Sequence, residues 1–362
     1  MKLTSHLKIN FGTLPTGQTV DASTCIAGGD NIIFEDKRYN TNPGTYCLSN
    51  CICNYLNYVG LDITELDILM DHEFQIVYTE GSSYIPMLSE GIENTVWNYL
   101  RKNNIEVEKR SNDQDARLWL SDSIKNDSLI VGHLNNKNLI YYSRFADNKI
   151  NNSKHFVNLI GINDINGIYI SDGYIPTYPV RTFEGWIKLE DNDESNHFYK
   201  INRDQLIKLP YSTEKTVHTL TTYREKLFKI LGSFLEGGRK GGDYYGYSAY
   251  EKCILDLTNI RHHRIQSYQE LFYCMTFHLT AGGVITSKRL IKSYLNKLSL
   301  YKHVAVIEKI IRKFELLKLL LLKCSVDFQD DYVLDVQNKL MEILQDEVDL
   351  YRFILEHEHN KI

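Results

Sequence analysis

Three residues of this chain have types and spacing that can do chemistry together: a cysteine opening a helix, a histidine opening a strand and an aspartate closing the next strand. In the segment PGTYCLSNCICNYLNYVG, Cys47 follows a Pro-Gly-Thr-Tyr turn. It stands on the first turn of a helix whose Leu48, Ile52, Tyr55 and Leu56 recur at helical spacing. Unpaired backbone N–H groups and the helix dipole favour a thiolate there, which makes that sulfur the expected nucleophile. Cys51 and Cys53 lie further into the same helix, where a free cysteine behaves as a small buried hydrophobe.

A nucleophilic cysteine needs a base, and the base needs an orienting partner. The strand HFVNLIGIND begins with His155, and the strand GIYISDG ends at Asp172-Gly173. Joined by a short turn at 164–167, two antiparallel strands bring both side chains to one end of a sheet. Asp172 would then fix the imidazole tautomer while His155 faces Cys47. His133, on the strand SLIVGHL, is the alternative base. A metal reading of Cys47, Cys51 and Cys53 lacks the paired spacing of a structural zinc site. The adjacent His262 and His263 are poorly placed to complete one, so no metal and no bound cofactor are expected.

Two further features bear on the reaction. An oxyanion would be met by the Cys47 backbone N–H and a side-chain amide, for which Asn40 and Asn42 are the candidates; in TNPG, Asn42 also reads as a plain turn residue. The stretch GGRKGGDYYG, with Arg239 and Lys240, can cradle a phosphate or serve as a flexible interhelical loop. No Gly-Lys-Ser/Thr follows, so it is not a P-loop.

These residues need a scaffold, and the chain has length for about two domains at 362 residues. A hydrophobic share of 43% with 24% charged residues reads as an ordinary soluble globular chain. Residues 1–212 carry helical patterns at about 46–58, 64–74, 89–102 and 114–124, followed by a run of short strands. Helices followed by an antiparallel sheet make an α+β catalytic domain; residues 213–362 read as an all-α domain. The opening segment lacks a secretory apolar run, and Leu316–Leu322, broken by Lys318, is too short to span a bilayer. An odd count of 7 cysteines reads as reduced thiols, hence a cytoplasmic expectation. Residues 213–325 hold more than twice as many basic as acidic side chains, either a docking face for an acidic partner or a solvated helical surface.

The helix-start Cys47, followed by Leu56, Gly60 and the Thr64-Glu65 helix opening, then by the His155-Phe156-Val157 strand and Asp172-Gly173, resembles the papain-like superfamily. The resemblance is to the family of the N-terminal domain of butirosin biosynthesis protein H. It covers about residues 30–200, and the helical remainder stands where that family has its second domain. One papain-like feature is missing: the nearest upstream glutamine, Gln18, is too far from Cys47 to complete an oxyanion hole.

The resemblance implies an acyltransferase of natural-product (antibiotic) biosynthesis, with Cys47, His155 and Asp172 as its catalytic triad. It would take an acyl or aminoacyl group from the phosphopantetheine thioester of an acyl or peptidyl carrier protein and pass it to a small-molecule amine. Arg239 and Lys240 are then the candidate contacts for carrier or phosphopantetheine. Neither a nucleic acid nor a membrane is expected as partner. The same triad also suits a cysteine hydrolase, protease or amidase, in which water replaces the amine. A non-catalytic carrier-binding protein is the third reading.

Overall fold

A computed structural model describes residues 32–33, 39–81, 85–88, 91–139, 141, 154–163, 167–175, 181–189, 193–209, 219–258, 268–280, 283–327 and 329–358. Its elements run β1 (Ile32–Ile33), α1 (Cys47–Tyr58), α2 (Glu65–Ile68), β2 (Ile76–Thr79), β3 (Met87–Leu88), α3 (Ile92–Lys102), β4 (Val107–Ser111), α4 (Ala116–Lys125), β5 (Leu129–Asn135), β6 (Lys154–Asn163), β7 (Gly167–Ile175), β8 (Arg181–Ile187), β9 (His197–Ile201) and α5 (Arg203–Ile207). There follow α6 (Leu220–Glu236), β10 (Gly238–Lys240), β11 (Asp243–Tyr245), α7 (Tyr247–Thr258), α8 (Tyr268–Thr280), α9 (Val284–Lys297), α10 (Tyr301–Val326) and α11 (Asp330–Glu358). The fold is thus mixed helix and antiparallel sheet, with a helical C-terminal region. The expected boundary at 212/213 lies outside the described residues. Among the described residues, no helix is long and apolar enough to cross a membrane.

A seven-stranded sheet in the order β4-β9-β5-β6-β7-β8, with β1 added against β6, carries the site. Every pairing in it is antiparallel. Alternation divides its two faces. Val131, Phe156 and Ile160 share a core with Leu48, Ile52, Tyr55 and Leu56 of α1, whereas Ile130, Val157 and Leu159 pack with Ala116, Leu120 and Ile124 of α4. Two buried polar contacts lock α1 onto its face. Tyr55 Oη meets the main chain of Ile130 and donates to the carbonyl of Leu159 (3.2 Å), and Asn158 Nδ2 donates to the Cys51 carbonyl at 3.0 Å. The helix stops where Gly60 adopts φ +91°. The Gly60 N–H then reaches the Asn57 carbonyl and the Leu61 N–H the Leu56 carbonyl, at 3.0 and 2.9 Å, which closes a Schellman cap.

The second helix is one turn only, α2, where the spacing predicts a helix through Phe74. Thr64 and Asp67 cap it reciprocally, and Ile76-Val77-Tyr78-Thr79, a β-forming run, is pulled into β2. The expectation of an all-α region beyond 212 is corrected at one place. Gly238–Lys240 and Asp243–Tyr245 form a hairpin that extends β2 and β3 into a four-stranded sheet. Gly241, at φ +63°, and Gly242 form its two-residue turn, the geometry for which glycine is preferred, so these glycines shape a hairpin.

The remaining helices bury one stripe each. Ile307, Ile310, Phe314, Leu317 and Leu321 of α10 meet Val336, Leu340, Ile343 and Ile354 of α11 in a core continuous with that beneath α1. Inside it, Lys288 pairs with Glu347, both without exposure, and Tyr250 and Tyr351 hydroxyls complete the network.

Candidate active site

Cys47 is the first residue of α1, after an extended Tyr46 at φ −144°, ψ 138°. It is half-buried, whereas Cys51 and Cys53 are buried. Burial pushes the Cys51 thiol well above its ordinary range. It also pushes Cys53, whose Sγ donates to the Ile63 carbonyl at 3.1 Å, up to about 12. Those two thiols are core groups. Among the described residues no three metal-ligating side chains converge; His262 and His263 lie outside them.

The turn ahead of Cys47 is held from two sides. The Glu65 carboxylate accepts from the Thr45 N–H (2.6 Å), the Tyr46 N–H (3.2 Å) and Ser49 Oγ (2.6 Å), taking the backbone donors that precede Cys47. Burial raises its pKa, and those hydrogen bonds oppose the rise. The Cys47 N–H, on the first residue of the helix, has no backbone acceptor among the described residues. On the other side, the Gly44 N–H donates to the Gly173 carbonyl at 2.9 Å, and Asn50 Nδ2 donates to the Asn42 carbonyl at 3.1 Å. The approach is close: a Cβ on Gly173 would lie 2.0 Å from Asn50 Oδ1, and one on Gly44 2.2 Å from Asn50 Nδ2. Two glycines and one asparagine therefore press the cysteine turn against the strand end that carries Asp172.

There the pairing of β6 with β7 brings the sequence candidates together. His155 Nε2 lies 2.8 Å from Asp172 Oδ2, with 5% and 1% of the two residues exposed. Cys47 acts on the same imidazole, and its hydrogen bonding and charge favour the protonated ring. Asp172 accepts twice more: Oδ1 from the Tyr174 N–H at 2.8 Å and Oδ2 also from the Tyr141 hydroxyl at 2.9 Å. Burial alone pulls the His155 imidazole down. The Asp172 charge and hydrogen bond, then Cys47, outweigh it and carry the pKa up to about 10. His155 is thus held in its protonated form beside a carboxylate and a sulfur.

The other sequence candidates stand apart from this cluster. His133 stacks on Phe156 at 3.9 Å, and burial, with Lys154, His197 and His155 nearby, pushes it down to about 3, so it stays neutral. Asn40 and Asn42 are exposed on the turn, and Asn42 is held through its carbonyl. Arg239 and Lys240 sit on the exposed hairpin, where Arg239 donates to the Gly241 carbonyl (2.9 Å), pairs with Glu80 (3.4 Å) and lies over the Tyr244 ring. Sequence reasoning passed over Tyr141, Asn50 and Tyr174, and it read Glu65 only as part of a helix opening. The one signal for them was the Asp172-Gly173 pair, whose glycine marks a close backbone approach.

No protein-family model matches the chain, and no curated protein matches its sequence.

Proposed function

We propose that this chain is a cysteine-dependent acyltransferase of papain-like type, akin to the butirosin biosynthesis protein H N-terminal domain family, acting in cytoplasmic natural-product biosynthesis. The observation that carries the reading is a buried His155–Asp172 pair held by Tyr141 and Tyr174, with the helix-start Cys47 acting on the same imidazole. The donor is a carrier-protein thioester of phosphopantetheine and the acceptor a small-molecule amine.

The Cys47 thiolate attacks the thioester carbonyl, forming a carbon–sulfur bond and an oxyanion that the Cys47 N–H can bind. Collapse expels the pantetheine sulfur, which takes the His155 proton. An acyl-enzyme and a neutral imidazole remain. The amine then attacks the acyl carbon, gives its proton to His155 and leaves as the amide while Cys47 departs as thiolate. Asp172 moves no proton. It holds Nε2–H and stabilises the imidazolium, and Tyr141 holds Asp172. Thioester to amide is downhill, so the site must mainly position the amine and exclude water.

The test presents an acyl-carrier thioester with and without amines. Amide formation supports transfer, and free acid as the sole product at all amine concentrations replaces it with hydrolysis.

A further inference from the structure

Among the described residues, Tyr174 joins the strand carrying Asp172 to the helical region. Its N–H donates to Asp172 Oδ1, and its hydroxyl donates to the Thr280 carbonyl at the end of α8 (2.8 Å), with Thr286 Oγ1 of α9 at 3.2 Å. Around that joint stand three charged side chains. Lys318 Nζ of α10 lies 3.4 Å from Thr280 Oγ1, and Arg289 of α9 faces Glu315 of α10, one turn before Lys318.

The Arg289–Glu315 contact is not a structural ion pair. Its closest approach, Nη2 to Oε1, is 4.0 Å, although the side chains are only 15% and 11% exposed. A guanidinium–carboxylate pair built for stability closes to about 2.8 Å and is often bidentate. Here Arg289 Nη1 and Glu315 Oε1 are buried and without a hydrogen-bond partner among the described residues, an arrangement that costs free energy unless water or a further group completes it. Burial pushes Lys318 down, Glu315 opposes this and Arg289 adds to it, so two cations share one carboxylate. Tyr174 stands in both fields: burial raises its hydroxyl to about 12, Arg289 pulls it down and Cys47 pushes it up.

We infer that Arg289 and Lys318 form an anion subsite beside Cys47, across the Tyr174 hydroxyl, which binds a carboxylate or phosphate of the substrate. The helical region then supplies substrate recognition to the cysteine site. Glu315 keeps the guanidinium oriented without satisfying it. This rests on Cys47 being the nucleophile.

The test uses the full chain and thiol reagents that differ only in charge: N-ethylmaleimide against maleimides carrying a carboxylate or a phosphate ester on tethers of increasing length. Rates are read by peptide mapping at Cys47 and normalised to glutathione. One tether length should give the anionic reagent a preference of about tenfold or more, the scale of one charge-assisted hydrogen bond. Arg289→Gln and Lys318→Gln should each abolish most of that preference, read within each variant as the ratio of the anionic-reagent rate to the N-ethylmaleimide rate. The larger of the carboxylate and phosphate preferences identifies the ligand group. If Arg289→Gln does not fold, Lys318→Gln carries the test. A wild type without preference, or variants that keep it, overturns the subsite while leaving Cys47 as nucleophile. Failure of every reagent to label Cys47 overturns the acyltransferase reading and the subsite together.

Discussion

Asp172→Asn isolates what the carboxylate does for the site. The substitution keeps the shape of a side chain that contacts the Tyr174 N–H, the Tyr141 hydroxyl and His155 Nε2, but removes its charge and replaces one acceptor by a donor. His155 stands at about 10 because Asp172, and after it Cys47, outweigh a burial effect that acts in the opposite direction. Without the carboxylate, burial carries the imidazole below the ordinary value of about 6.5. A loss of three units or more is on the order of 4 kcal/mol of imidazolium stabilisation, at about 1.4 kcal/mol per unit. Alkylation of Cys47 by iodoacetamide at pH 7 should fall about 10²–10⁴-fold, in line with the loss of an orienting carboxylate in other triads. Side-chain ¹⁵N spectra should show His155 protonated from neutral pH towards about 10 in the wild type, and neutral at pH 7 in the variant. The same shift has a stability signature. Because the folded-state pKa is raised, the stabilisation is complete below about 6.5 and is lost as pH climbs towards 10. Urea midpoints of the wild type should decline across that window, and those of Asp172→Asn should not. An Asp172→Asn protein that alkylates at the wild-type rate with His155 still protonated would refute the reasoning.

Other perturbations separate site from scaffold. Gly173→Ala places a Cβ 2.0 Å from Asn50 Oδ1 and 2.4 Å from the Asn42 carbonyl; urea denaturation should show a loss of about 1–3 kcal/mol, and single-turnover acylation a larger proportional loss. Breaking the buried Lys288–Glu347 pair with Glu347→Leu should cost about 3–5 kcal/mol, much of it recovered by adding Lys288→Met, because the lone charge rather than the missing pair is the penalty. Reversing Arg239 and Lys240 to Glu should raise the Michaelis constant for a carrier-bound donor at low salt and leave a short free thioester unaffected, if the basic hairpin docks an acidic carrier.

How much of this was legible in the sequence depends on how local each signal is. Cys47 announces itself through the turn before it and the apolar spacing after it. His155 and Asp172 do so through the ends of two strands that pair, as Asn163 opposite Gly167 requires. Glu65 and Tyr141 act through contacts made only when distant segments meet, and no spacing rule links Glu65 to the Thr45 N–H or Tyr141 to Asp172. Lys288 and Glu347 were hidden because charged residues on long helices read as solvated, whereas packing of α7, α9 and α11 buries both. The hairpin at Gly238–Tyr245 was missed because strands of three residues are too short to show alternation; only pairing with β2 makes them strands. Arg289 and Glu315 were lost in the basic balance of residues 213–325, a sum that says nothing about which charges face each other.

The central claim is that Cys47 carries the acyl group, and intact-protein mass spectrometry tests it most directly. The wild type is incubated with an acyl-carrier thioester, quenched in acid before amine is added and mapped by peptide. The account predicts one acyl adduct, confined to Cys47, absent from Cys47→Ala, present in Cys51→Ala and discharged to amide when amine is supplied. An adduct on Cys51, Cys253, Cys274 or Cys324, or an unmodified Cys47 while amide accumulates, would contradict it.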